Sequence, residues 1–263
     1  MTDRFFIETI DIFKEFDEVE AIALGGSRAS GCFDADSDYD VYVYLNGGLS
    51  IEKRKQALSQ TCGYMEIDNS YWETEDDCVL NSGVAIELIY RNTEDIRQDL
   101  RGTLEKHIAR CGYTTCVCYN IFNSKIMYDP KGFYNGMVKE FTMPYPEQLR
   151  KNIVSKNREL LDGKIPSYLG QIEKAVKRND VVSINHRTAE FLSSYFDILF
   201  AVNRTFHPGE KRLIELGKTL CKHLPVDFEA NLRGLFAARD KAEMLSVMRE
   251  IISNLDDLIK KHM

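Results

Sequence analysis

Apolar residues recur at helical spacing at the start of the chain, where Phe6, Ile10, Phe13 and Phe16 line one side of residues 5–16 and predict an amphipathic helix. The period then shortens. Val19–Leu24 (V-E-A-I-A-L) reads as a strand running into Gly25-Gly26, and Ser27–Gly31 reads as the first turns of a short helix. After a polar loop at 34–38, the segment Asp38–Leu45 alternates. Asp38, Asp40, Tyr42 and Tyr44 fall on one face, and Tyr39, Val41, Val43 and Leu45 on the other. Asn46-Gly47-Gly48 ends that strand, and Ile51–Gln60 is rich in helix formers. Residues 64–90 are strand-prone, most clearly Val84–Tyr90, where Glu87 shares a face with Ala85 and Ile89. Thr93, followed by Glu94 and Asp95, predicts a helix reaching towards His107, and Tyr113–Asn120 is β-prone.

The pattern changes after residue 142. Met143-Pro144-Tyr145-Pro146 reads as a connector, and strand signals cease beyond it. Leu149, Ile153, Val154, Leu160 and Leu161 mark one helix, Leu192, Tyr195, Phe196, Leu199 and Phe200 a second. Leu245, Met248, Ile251, Ile252, Leu255, Leu258 and Ile259 mark another, with further helices around 166–178 and 209–222. The expected class is α+β: a mixed sheet with flanking helices over 1–142, then a helical bundle over 143–263.

Composition narrows the function classes. Of 263 residues, 44% are hydrophobic and 29% charged, which suits a folded chain and not a disordered one. The net charge is −7, and the densest basic run is K-A-V-K-R at 174–178, so no nucleic-acid partner is expected. The longest apolar block, Phe191–Val202, is too short to span a bilayer and contains Asp197, so no membrane role is expected either. Seven scattered cysteines behind an N-terminus without a basic, then apolar, leader point to reduced thiols and a cytoplasmic location. His107, Cys111, Cys116 and Cys118 fit no common zinc spacing, and the three cysteines read as buried or half-buried thiols.

The chemistry concentrates in 24–45. Gly26-x₄-Gly31 is followed by Cys32-Phe33 and not by Lys-Ser/Thr, which excludes a P-loop. A tight turn remains, either a plain strand-to-helix connection or one whose N–H groups, with Ser27, hold phosphate oxygens. Asp36 reads as a solvated loop residue. Asp38 and Asp40 stand on one strand face, where like charges repel unless a cation sits between them, and oxygen-only donors of this kind suit Mg²⁺. Glu87, in mid-strand, is either an edge residue facing water or a third member of that set.

Taken together, Gly25-Gly26-Ser27, Asp38-x-Asp40 on a strand and a lone acid on a later strand resemble the DNA-polymerase-β-type nucleotidyltransferase superfamily. The D-S-D-Y-D run and the helical second half are similar to its small bacterial members, including the aminoglycoside and lincosamide nucleotidyltransferases. The resemblance implies transfer of a nucleoside monophosphate, AMP from ATP, to a hydroxyl of a small-molecule acceptor with release of pyrophosphate, and antibiotic modification as one form of that activity. It implies Asp38 and Asp40 as ligands of Mg²⁺ (Mn²⁺ as the alternative), and Glu87 as general base or as ligand of a second metal. Gly25, Gly26, Ser27 and Arg28 are implied as the phosphate cradle. Lys211, in the run L-F-A-V-N-R-T-F-H-P-G-E-K-R at 199–212, is implied as a further phosphate contact, with Asn203 weaker; helix-end capping or solvation competes for both. An antitoxin-like protein adenylyltransferase and a silent nucleotide-binding module are the rivals, and a monomer or homodimer is expected. His186 and Arg187 read equally as cleft or surface residues, and Tyr71 and Trp72, between strands, read as core residues or as a stack for a base or sugar.

Overall fold

The first helical period becomes α1 (Arg4–Phe13), opened by the Asp3 carboxylate, which accepts hydrogen bonds from the Phe5 and Phe6 amides. Its buried side chains Phe6, Ile10 and Phe13 lie on the apolar face of a sheet, where Phe6 stacks on Tyr39 with ring centroids 4.0 Å apart. The computed structural model describes residues 3–30 and 37–263. Gly31, Cys32 and Asp36 lie outside them. Two compact units result, one comprising the chain up to Arg101 with Asn120–Thr142, the other Gly102–Tyr119 with Met143–Met263.

The first unit is built on a six-stranded sheet of order β3-β4-β5-β2-β1-β6. Its strands are β1 (Val19–Leu24), β2 (Tyr39–Leu45), β3 (Cys62–Asn69), β4 (Thr74–Leu80), β5 (Ala85–Asn92) and β6 (Lys125–Tyr128). Between them come α2 (Gly26–Ser30), α3 (Ile51–Leu58), α4 (Thr93–Leu104), α5 (Cys116–Asn123) and, after β6, α6 (Phe133–Phe141). Only β2 and β5 pair in parallel; the other neighbours are antiparallel. The alternation read from the sequence holds. Tyr39, Val41, Val43 and Leu45 of β2 and Ile86, Leu88 and Tyr90 of β5 enter one core cluster with α1 and α3. A buried polar group anchors α3 to that face. The Arg54 guanidinium donates to Asp76 at 2.7 Å and to Asp68 at 2.7 Å, and the Tyr90 hydroxyl donates to Asp76 at 2.6 Å. Locking Asp76 inwards sends its neighbour Asp77 to the opposite face.

The β-prone stretch 113–120 is not a strand: residues 116–123 form α5. The Tyr119 amide bonds the Thr115 carbonyl, and Cys118 and Ile121 are buried on one helical side. Propensity yields here to the burial of that side.

The second unit is helical throughout its regular structure, with α7 (Glu147–Arg158) running into a π-helical turn (Glu159–Gly163), then α8 (Tyr168–Arg178), α9 (Val181–Val202), α10 (Leu213–Leu220), α11 (Phe228–Ala237) and α12 (Lys241–His262). Its centre is polar at one point. Asp197 of α9 is buried and accepts from the Thr114 amide (3.0 Å), the Thr114 hydroxyl (2.7 Å) and the Asn157 amide group (3.2 Å). Asn157 in turn accepts from the Gly112 amide and donates to the Arg110 carbonyl, so one cluster pins residues 110–114 to α7 and α9. Among the described residues, no helix is long and apolar enough to cross a membrane.

Candidate active site

Parallel pairing of β2 with β5 sets Asp40 directly beside Glu87. Asp38 precedes β2 by one residue, and one carboxylate oxygen from each of the three acids lies within 4.8 Å of the others. Among the described residues no other set of three or more His, Cys, Asp or Glu side chains converges in this way. β5 is an interior strand between β4 and β2, so Glu87 is not an edge residue facing water. All three acids are half-buried. Burial, then the charges of Asp40 and Asp38, push the Glu87 carboxyl up to about 7. Among the described residues no hydrogen bond to the Glu87 carboxylate offsets this. Three hard oxygen donors this close suit a divalent cation of the Mg²⁺ or Mn²⁺ type.

The glycine turn sits on this cluster. The Gly25 amide donates to the Asp40 carbonyl at 2.8 Å, extending the β1–β2 ladder by one bond. Gly26 has φ +60°, and a Cβ there would fall 1.7 Å from Asp40 Oδ2. Both backbone conformation and space therefore require glycine. Ser27 is half-buried beside it. Arg28, an expected phosphate contact, turns its guanidinium to backbone: Nε donates to the Ser37 carbonyl at 3.0 Å and to the Asp38 carbonyl at 2.9 Å, over the Tyr39 ring. It thereby braces the approach to Asp38.

Behind the acids stands a residue that the motif pattern does not mark. Arg91 lies on the Glu87 face of β5, buried, with its guanidinium 4.1 Å over the Tyr42 ring. It forms a fork on Glu73, with Nε and Nη2 each 2.8 Å from a carboxylate oxygen, and donates to Asn120 at 2.7 Å. The alternation E-L-I-Y-R, carried one residue past Tyr90, was the signal that could have placed it. On the same face the register aligns Glu66, Asp77, Glu87 and Asp40 across four strands, one carboxylate from each.

The remaining expectations sort differently. Lys211 belongs to the second unit, exposed in the turn before α10. Asn203 caps α9: its side-chain amide donates to the Leu199 and His223 carbonyls at 2.9 Å each, and its oxygen accepts from the His223 amide at 2.8 Å. That is the capping role. Tyr71 and Trp72 are not core residues. They stand 82% and 88% exposed in the turn between β3 and β4, as an edge-on pair. His186 is exposed and Arg187 half-buried near the start of α9. Of the former cysteine group, Cys111 is exposed, Cys118 buried, and Cys116 lies 3.4 Å from His207 Nδ1. Burial pushes the Cys116 thiol up to about 12 and the buried His207 imidazole down to about 4, so this pair is neutral and not a thiolate–imidazolium couple.

Residues 8–95 match the family model described as polymerase beta, nucleotidyltransferase, and residues 115–213 match one described as a domain of unknown function, DUF4037. No curated protein matches the sequence. Among solved structures, a nucleotidyltransferase-like protein from Exiguobacterium sibiricum aligns over 97% of this chain and 74% of its own, at 11% identity and a TM-score of 0.46. An aminoglycoside 6-adenyltransferase from Bacillus subtilis aligns over 97% and 90%, at 11% identity and 0.33. The spectinomycin adenyltransferase AAD(9) from Enterococcus faecialis, with ATP and spectinomycin, aligns over 95% and 99%, at 12% and 0.32. These distant likenesses carry no argument about substrate. The polymerase beta, nucleotidyltransferase model spans β1, the glycine turn and all three acids, and residues 8–95 are similar to that family's domain.

Proposed function

We propose that the protein is a metal-dependent nucleotidyltransferase that moves AMP from ATP to a hydroxyl of a small, cationic acceptor of the aminoglycoside or lincosamide kind. The observation that carries this reading is the convergence of Asp38, Asp40 and Glu87 within 4.8 Å beneath a turn that only glycine can make. Asp38 and Asp40 would hold Mg²⁺, which supplies charge neutralisation at the triphosphate. The residues of this chain then do the rest. Gly25, Gly26 and Ser27 orient the β- and γ-phosphates through backbone N–H groups and the serine hydroxyl. Arg28 keeps the chain at Ser37 and Asp38 in place. Glu87 takes the proton of the acceptor hydroxyl as that oxygen attacks the α-phosphorus and the bond to the pyrophosphate oxygen breaks. Such chemistry is positioning and charge, and needs no nucleophilic side chain.

A cationic acceptor is favoured by the open sheet face beside Glu87, where Asp77 and Glu66 continue the row of acids and Glu75 lies on the same face one step along β4. The experiment is a screen of nucleoside triphosphates against hydroxylated acceptors, aminoglycosides and lincosamides included, read by pyrophosphate release. The reading expects release that needs acceptor, divalent metal and Asp40 together. Label from ATP appearing on a protein band and on no small molecule would replace this acceptor class with a protein side chain.

A further inference from the structure

The glycine turn is held from behind by groups that no phosphate would touch. A Cβ on Gly25 would lie 2.4 Å from Tyr42 Cε2 and 3.3 Å from Asn120 Nδ2, so the turn rests on the edge of the Tyr42 ring and on the Asn120 amide. The other support of that ring is the Arg91 guanidinium, 4.1 Å from its centroid, and Arg91 also fixes Asn120 by donating to its oxygen at 2.7 Å. The fork on Glu73 spends the remaining nitrogens of Arg91, and the side chain is buried. Every partner of this guanidinium is thus protein, and both groups that contact Gly25 are in turn contacted by Arg91. Gly26 follows directly, poised over Asp40 with no space for adjustment.

We propose that Arg91 is the positioning residue of the triphosphate-binding turn. Acting through Tyr42 and Asn120, it sets the height of Gly25 and Gly26 above Asp40, and Glu73 holds the guanidinium flat against the ring. The proposal rests on the reading of the turn as the phosphate cradle. What matters is the planar, forked shape of the side chain, not its charge alone, because a lysine cannot at once bridge Glu73 bidentately, reach Asn120 and cover a ring. Charge acting at a distance would be indifferent to that exchange.

The test measures binding of a non-hydrolysable ATP analogue with Mg²⁺, alongside binding of Mn²⁺ alone, in the full chain and in Arg91→Lys, Arg91→Met and Asn120→Ala. In both Arg91 variants the nucleotide dissociation constant rises about tenfold, as a turn displaced by a fraction of an ångström loses its phosphate contacts. Mn²⁺ affinity stays within about twofold, since the three acids are untouched. A collapse of the unit would lose both. Asn120→Ala removes one of the two supports without leaving a buried charge, and weakens nucleotide binding about threefold even if the Arg91 variants fail to fold. Full affinity in Arg91→Lys, or unchanged affinity in Asn120→Ala, overturns the proposal. A wild-type chain that binds Mn²⁺ but no nucleotide overturns the functional reading itself, and this inference with it.

Discussion

Two carboxyls in this molecule are pushed well above their ordinary range, and they have opposite meanings. Glu87 in the first unit rises to about 7, Asp197 in the second to about 6, and burial is the largest cause for both. Asp197 then finds three neutral donors, two from Thr114 and one from Asn157, and among the described residues no charge shifts it. Its network is closed. Glu87 finds two more acids, Asp40 and Asp38, whose charges push it further in the same direction. Its cluster gathers like charges, which a cation would offset. A raised carboxyl therefore marks a candidate site by what surrounds it, like charges in place of donors, and not by the shift alone.

The largest effect that could break this comparison comes from the open cluster. Asp38→Asn and Asp40→Asn each lower metal-dependent pyrophosphate release by about a thousandfold while the fold is kept or slightly stabilised, since a repulsion is removed. Gly26→Ala, whose new Cβ meets Asp40, is expected to match them in an activity assay. In the closed network the order reverses. Asp197→Ala leaves the Thr114 and Asn157 donors unpaired and costs about 3 kcal/mol in denaturant unfolding, with activity per folded molecule retained. Acid titration sharpens the contrast. A carboxyl raised in the folded state favours folding at low pH, so stability falls as pH climbs from the unfolded value through the folded one. For Asp197 that window runs from about 4 to about 6, is worth on the order of 2–3 kcal/mol, and is indifferent to Mg²⁺; it shows as the difference between wild type and Asp197→Asn. For Glu87 it runs from about 4.5 to about 7, and added Mg²⁺ should remove it, so the metal's stabilising effect on thermal unfolding grows with pH across that range.

Much of the first unit was legible because alternation survives burial. Val19–Leu24 appears as a strand with those bounds, and the two faces of β2 and β5 sort as their residues do in the sequence. What alternation cannot supply is register. That Asp40 lies beside Glu87 follows from a parallel pairing between distant segments, and only their shared chemistry suggested it. Neighbouring layers were equally hidden. Residues 116–123 carry β-prone side chains yet form a helix, because Cys118 and Ile121 are buried on one helical side. Tyr71 and Trp72 carry no mark of standing at a hairpin tip beyond an edge strand. Arg91 went unnoticed because a basic residue ending an apolar strand looks like an ordinary solvated terminus. Its partners, Glu73 and Asn120, lie on other elements.

The central claim, that the three acids and the glycine turn form one metal-nucleotide site, is met most directly by calorimetric titration of a non-hydrolysable ATP analogue. The titration uses the wild-type chain and the Asp38→Asn, Asp40→Asn double variant, each with and without Mg²⁺. Saturable binding by the wild type that requires the metal, and its loss in the double variant, is the predicted result. Equal binding by both chains, or binding by the wild type that ignores Mg²⁺, would contradict it.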